Sequence, residues 1–218
     1  RIVRIGAEPV VVEVHEGVTV VDQPVPADVA IEGCGWTPTI SITIDPAWTT
    51  GFHRVELATP GGETAEAFFV VRPVETGDTL LVLSTSTWAA YNDWGGPSFY
   101  TGGHHSSQQR PLPPGFLAKP DPARYRVAHF PDMSREERRA HFAEYSIWSS
   151  AAGWANWEAL FVAWAERNGL ALDYATSADL HAEPDLLDPY RLYLSVGHDE
   201  YWSAAMRDQI ESWVDRGG

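Results

Sequence analysis

The stretch RLYLSVGHDEYW, residues 191–202, decides both the expected fold and the expected location of a functional site. It opens with an apolar run typical of a buried strand, and Gly197 ends that run. Three ionisable residues follow: His198, Asp199 and Glu200. Side chains two apart in an extended chain point to the same face, so His198 and Glu200 should share one face and Asp199 the other. Such a His-x-Glu pair can bind a metal ion or transfer a proton.

A helix is predicted directly after this stretch. Ser203 can cap it, Gly217 and Gly218 can end it, and its apolar positions follow helical spacing: Met206, Ile210, Trp213 and Val214. Strand, charged turn and helix form half of a βαβ unit, in which ligands bind outside the carboxyl ends of the strands. Because the second strand of this unit is missing, we expect the α/β part to be truncated and further site residues to follow Gly218.

The sequence divides into two parts. Residues 1–73 carry short alternating apolar runs between turn signals, at 10–14, 18–21, 39–44, 52–57 and 65–71. This pattern predicts a small immunoglobulin-like β-sandwich, incomplete at its N-terminus. Residues 73–78 are the expected linker to the second part, residues 79–218.

The second part has an α/β pattern with a parallel sheet. Buried strands are predicted at 79–83, 125–130, 172–175 and 191–196. Ser134 and Glu137 form a capping box for a helix through Glu144. A further helix should bury Trp157, Leu160, Phe161 and Trp164 and end at Asn168 and Gly169. The polar and aromatic segment 84–96 is expected to be a loop that faces the same crevice as His198.

Composition excludes several classes of partner. The net charge of -15 and a pI near 4.8 argue against nucleic acid and anionic membranes, because both bind basic patches. The single cysteine, Cys34, excludes an internal disulfide and fits a reducing compartment. No apolar stretch is long enough to span a membrane and no signal peptide pattern is present, so a cytoplasmic location is expected.

Motifs for common hydrolase mechanisms are absent. The sequence has no G-x-S-x-G, H-E-x-x-H, Walker A or G-x-G-x-x-G pattern, and Cys34 precedes the parallel sheet. What remains is a set of oxygen and nitrogen donors: Tyr91, Asn92, His198, Asp199 and Glu200. Hard oxygen donors favour a highly charged cation, and phenolate favours ferric iron. Each residue alone also has a structural interpretation, as a packing aromatic, a helix-dipole partner or a brace for the turn.

Several segments together resemble a known family. They are TWAAYNDWGG (87–96), WAERNG (164–169), ATSADLH (175–181), LSVGHDEYWS (194–203) and, in the first part, WTTGFHR (48–54). They are similar to the C-terminal region of the large (beta) subunit of N,N-dimethylformamidase and its relatives. The resemblance implies a glutamine-amidotransferase-like, flavodoxin-like fold and an amidohydrolase with one iron ion, Fe³⁺, held by two tyrosines and a glutamate.

The resemblance also implies roles for individual residues. Tyr91 and Glu200 correspond to metal ligands, and His198 to the histidine beside the iron, expected to act as the catalytic proton carrier. The second tyrosine is expected within a W-x-x-G-x-Y pattern, where this sequence has His53. The site can therefore hold iron through His53, hold another metal, or have lost the metal.

Under this interpretation the protein hydrolyses a small amide through an iron-activated water. The substrate would be bound by Trp88, Asn92 and Trp94. A homo-oligomer or a small-subunit partner is expected as well. Two alternatives stay open: a non-catalytic binding or assembly module for a carbohydrate or protein partner, and a hydrolase that cleaves an ester or a nitrile-derived amide.

Overall fold

A computed structural model of the protein describes residues 1–119 and 134–218. Within these ranges the strands are β1 (Ile2–Ile5), β2 (Val10–Glu13), β3 (Gly51–Ala58), β4 (Thr64–Val71), β5 (Thr79–Leu83), β6 (Asp173–Thr176) and β7 (Leu192–Leu194). The α-helices are α1 (Val29–Glu32), α2 (Thr85–Tyr91), α3 (Arg135–Glu144), α4 (Glu158–Arg167), α5 (Ser177–Ala182) and α6 (Ala204–Asp215). Short 3₁₀ helices lie at Phe99–Thr101 and Trp154–Asn156.

The first part of the chain forms an antiparallel sheet of four strands in the order β2-β1-β3-β4. Strands β3 and β4 pair along their whole length, from Gly51 opposite Val71 to Ala58 opposite Thr64. The strands predicted at 18–21 and 39–44 do not form, so the described residues contain one sheet here instead of the two of a sandwich. Apolar side chains of both segments, such as Val20 and Ile44, are exposed. The prediction was wrong because an alternating apolar pattern forms a strand only where another strand pairs with it.

The second part contains a parallel sheet of three strands in the order β6-β5-β7. Strand β5 was predicted with its observed ends, and β6 and β7 lie within one or two residues of the predicted strands. The strand predicted at 125–130 lies outside the described residues. The fold is therefore mixed α/β, with one parallel and one antiparallel sheet.

Strand β5 is buried on both faces, and this explains its continuous apolar sequence. Leu80 and Val82 pack in a cluster with residues of α5 and α6. Leu81 and Leu83 pack in a second cluster with residues of α4 and with Phe52 of the antiparallel sheet. The Phe52 ring stacks on Trp154 with centroids 4.0 Å apart, so the two parts of the chain share a hydrophobic core.

The helices correct two predictions and confirm three. Segment 84–96, expected to be a loop, contains α2, whose residues are almost all buried. Helix α4 was predicted, but Leu160 and Trp164 are exposed, and it buries the smaller Val162 and Ala165 instead. Its predicted end at Asn168, the capping box of α3 and the Ser203 cap of α6 are all confirmed. None of the described helices has the length and apolarity needed to cross a membrane.

Candidate functional site

Two phenol hydroxyls and an imidazole nitrogen converge on one carboxylate oxygen, Oε2 of Glu200. The Tyr91 hydroxyl donates to it at 3.1 Å and the Tyr100 hydroxyl at 2.8 Å. Nε2 of His198 lies 3.0 Å from the same oxygen. The structure thus brings together Tyr91, His198 and Glu200, which the sequence analysis selected, and adds Tyr100. We call these four residues the Glu200 cluster.

Adjacent parallel strands bring these residues together. Tyr91 ends α2, which follows β5, whereas His198 and Glu200 lie in the turn after β7. Because β5 and β7 pair in parallel, their carboxyl ends meet at one edge of the sheet. The buried Thr87 hydroxyl then fixes the turn to α2 by accepting hydrogen bonds from the backbone N–H groups of Glu200, at 2.9 Å, and Tyr201, at 3.2 Å.

The orientation of His198 is set by its other ring nitrogen. Nδ1 lies 2.9 Å from the carbonyl oxygen of Ala151. A carbonyl can only accept, so Nδ1 carries a proton and Nε2 faces Glu200. The ionised carboxylate also only accepts, so the Nε2 contact is a hydrogen bond only when Nε2 carries a proton as well. Asp199 points elsewhere and accepts a hydrogen bond from Ser195 at 2.7 Å, as the alternation of the chain predicted.

Gly197 allows the turn to pass close to the protein core. Its φ is +77°, and a Cβ atom here would lie 2.2 Å from Cβ of Trp157. Any other residue would therefore clash and also adopt an unfavourable backbone conformation. The glycine that ends the predicted strand is thus required by the position of the His198–Glu200 turn.

Aromatic rings surround the two phenols. The rings of Tyr91 and Tyr100 stack with centroids 4.3 Å apart, and both contact Trp148, at 5.5 and 5.3 Å. The Tyr201 hydroxyl donates to the Tyr100 hydroxyl at 3.0 Å. Each phenol in the cluster is therefore held by ring packing as well as by its hydrogen bond.

The protonation states in the cluster follow from these contacts. The hydrogen bond from Tyr100 is the main cause that lowers the pKa of Glu200, with Tyr91 and His198 acting in the same direction. Burial is the largest cause that raises the pKa of both Tyr91 and Tyr100, and Glu200 and Tyr201 add to it, whereas Tyr100 acts in the opposite direction on the pKa of Tyr91. At neutral pH the carboxylate is ionised and both phenols keep their protons.

The residues expected to bind substrate have structural contacts. Trp88 is almost fully buried, and its indole N–H donates to Glu158 at 3.2 Å. Asn92 is also buried; its side chain donates to the Pro111 carbonyl and accepts from the backbone N–H of Trp94. Trp94 itself packs edge-to-face on Trp36 with ring centroids 5.9 Å apart.

His53 lies in a separate packing environment. It is fully buried on β3 and stacks against Trp48 and Phe69, with ring centroids 5.6 and 5.4 Å away. Its contacts among the described residues include none with Tyr91 or Glu200. Burial lowers the pKa of the imidazole.

A cluster of three or more His, Cys, Asp or Glu side chains suited to a metal ion does not occur within residues 1–119 and 134–218. The Glu200 cluster is of another kind, because two of its oxygen donors are phenols. Carboxylate and phenol oxygens are hard ligands.

The sequence matches the family model described as N,N-dimethylformamidase beta subunit-like, C-terminal, over residues 4–218. The chain belongs to this family. The resemblance found in the sequence motifs is therefore confirmed for nearly the whole chain. A comparison with curated proteins found no match.

In this dimethylformamidase-like chain, sequence reasoning missed four residues around the site: Thr87, Tyr100, Tyr201 and Glu158. Tyr201 directly follows His198–Glu200 in the sequence, and this position could have indicated its role. Tyr100 is distant in the sequence and contacts Glu200 only in the folded chain.

Glu158 is a fully buried carboxyl group whose Oε1 accepts from the Ser84 hydroxyl at 2.8 Å and from Trp88. Burial raises its pKa to about 7. It binds the first turn of α2, the helix that carries Thr87 and Tyr91.

Proposed function

We propose that this chain carries the catalytic site of an amide hydrolase in which Glu200, Tyr91 and Tyr100 hold one ferric ion. His198 would transfer the proton. The observation that supports this proposal most strongly is the convergence of two phenols and an imidazole on Glu200 Oε2, within about 3 Å, in a chain of the dimethylformamidase-like family.

The donor set of the cluster fits a hard cation. The resemblance implied two tyrosines and one glutamate, and the sequence offered His53 in place of the second tyrosine. Tyr100 supplies a second phenol oxygen 2.8 Å from the same carboxylate. We therefore propose Tyr100, and not His53, as the third ligand. Because both phenols keep their protons without the metal, binding of the ion would release protons from the protein.

The cluster also contains a group suited to proton transfer. When bound, a ferric ion would polarise the amide carbonyl and make a neighbouring water more acidic. His198 presents Nε2 to the same point, and in the neutral ring with its proton on Nδ1, toward Ala151, Nε2 has a free lone pair. It can take the proton of the attacking water and return one to the departing amine. Tyr91, Tyr100 and Trp148 form an aromatic wall that favours a small, uncharged amide.

The remaining features of the proposal concern fold and assembly. The three described parallel strands, with the site at their carboxyl ends, support a flavodoxin-like, glutamine-amidotransferase-like arrangement. The family description refers to a beta subunit, which supports a homo-oligomer or a second type of subunit as partner. We propose a cytoplasmic location on the basis of the single cysteine.

The Glu200→Ala variant tests the proposed function. We expect the purified protein to contain iron and to hydrolyse a member of a panel of small amides, and the variant to lose both bound iron and hydrolysis. Full iron content in the variant would refute the assignment of Glu200 as a ligand. A panel that includes esters identifies the bond that is cleaved. Wild-type protein that lacks iron and amide hydrolysis but binds sugars would support the binding-module alternative instead.

A further inference from the structure

A cavity of about 260 Å³, which is open to solvent, adjoins the Glu200 cluster. Residues of α2, of the segment 99–108 and of the turn before α6 line it. Tyr201 belongs to this lining and donates to Tyr100, which in turn donates to Glu200. Two hydrogen bonds, of 3.0 and 2.8 Å, therefore connect the cavity to the carboxylate.

The described residues that line the cavity are all uncharged, although the chain has a net charge of -15. An anion would find no cationic partner among them, and a cation would find no carboxylate. A charged ligand would therefore gain no ion pair from the lining, which favours an uncharged one. The lining instead combines aromatic rings, including Phe99 and Trp202, with hydroxyl and amide groups.

Three polar groups of the lining remain available to a ligand. The hydroxyl of Ser86 and the amide of Gln108 make no side-chain hydrogen bond to any residue in the described ranges. The Tyr201 hydroxyl uses its proton for Tyr100, so its oxygen can accept a hydrogen bond from a ligand. The cavity therefore offers both donors and acceptors.

We propose that this cavity binds a small uncharged molecule that carries both a hydrogen-bond donor and an acceptor. Cavities of about 150 Å³ hold a ligand the size of benzene, so this one has room for about ten non-hydrogen atoms. The aromatic walls would contact the apolar face of the ligand. Binding requires neither a metal ion nor amide hydrolysis, so this proposal does not depend on the proposed function.

The test is a titration of the ¹⁵N-labelled protein followed by two-dimensional NMR. Four probes are used: N-methylacetamide, glucose, acetate and methylammonium. We expect at least one neutral probe to shift the backbone signals of Ala89 and Ala90 and the indole signal of Trp202 saturably. Comparison of the two neutral probes shows whether the ligand is a carboxamide or a polyol. Absence of saturable shifts with both, or equal binding of a charged probe, would overturn the proposal.

Two variants test the polar groups. Gln108→Ala and Tyr201→Phe should each weaken binding by about fivefold, as expected for one lost hydrogen bond. Tyr145→Phe, which also removes one phenol hydroxyl but does not line the cavity, should bind as the wild type does. If Tyr201→Phe is correctly folded and binds the probe as tightly as Tyr145→Phe does, the Tyr201 oxygen does not accept a hydrogen bond from the ligand.

Discussion

Replacing Thr87 by valine should destabilise the protein and loosen the turn that carries the site. The Thr87 hydroxyl is fully buried and accepts the backbone N–H groups of both Glu200 and Tyr201. Valine has nearly the same shape but cannot accept. Each hydrogen bond contributes about 1 kcal/mol net, so the variant should lose about 2 kcal/mol of unfolding free energy.

The same helix offers a matched control. Thr85 is also buried, but its hydroxyl has no hydrogen-bond partner among the described residues. Thr85→Val removes a buried polar group without breaking a hydrogen bond, so its stability should be within about 0.5 kcal/mol of the wild type, or higher. Both substitutions replace a β-branched residue with another, so helix propensity changes little.

Urea unfolding, followed by far-UV circular dichroism and by tryptophan fluorescence, measures the two free energies. We expect Thr87→Val to lower the midpoint with an unchanged slope and Thr85→Val to leave it in place. Equal losses in the two variants, or no loss in Thr87→Val, would refute the idea that this hydroxyl fixes the turn.

Three further predictions concern charge and backbone geometry. Because burial raises the pKa of Glu158 from its ordinary 4.5 to about 7, the folded state holds this proton more tightly than the unfolded state. The wild type should therefore lose about 3 kcal/mol relative to Glu158→Gln as the pH rises from 4.5 to about 7, measured by urea unfolding at each pH. Glu166→Ala breaks the 2.7 Å ion pair with Arg4 that joins α4 to β1 and should lower the unfolding free energy by about 2 kcal/mol. The control, Glu211→Ala, removes an exposed partner of Arg207 and should lower it by under about 0.5 kcal/mol. Equal shifts of the melting temperature in the two variants would contradict this. Gly197→Ala forces a clash with Trp157 and should therefore lower the melting temperature. It should also shift the NMR signals of the His198–Glu200 turn, and unchanged spectra would contradict the close approach of this turn to Trp157.

The local patterns of the sequence predicted the elements whose environment is uniform along their length. Strand β5 reads as a continuous apolar run because both of its faces are buried. The turn after β7 was predicted because alternation fixes the relative directions of His198, Asp199 and Glu200. These features depend on neighbours within a few residues, so they are visible in the sequence.

Features that depend on distant contacts were not predicted. Helix α2 was not predicted because it is short and begins with polar residues, as a loop does. One of these residues, Thr87, accepts hydrogen bonds from a turn more than 100 residues away in the sequence, and the local pattern does not show this contact. Tyr100 was missed for the same reason, since it contacts Glu200 only in the folded chain. The valines at 18–21 alternate or cluster as in strands, but an apolar pattern does not supply a pairing partner.

Metal content in two single variants tests the central claim most directly. Elemental analysis and the visible phenolate-to-iron absorption should be measured for Tyr100→Phe and His53→Phe, with folding checked by circular dichroism. Since Tyr100 contacts Glu200 and His53 lies in an aromatic stack on β3, we predict loss of iron and of the absorption band in Tyr100→Phe and retention of both in His53→Phe. Full iron in Tyr100→Phe, or loss of iron only in His53→Phe, would contradict the account.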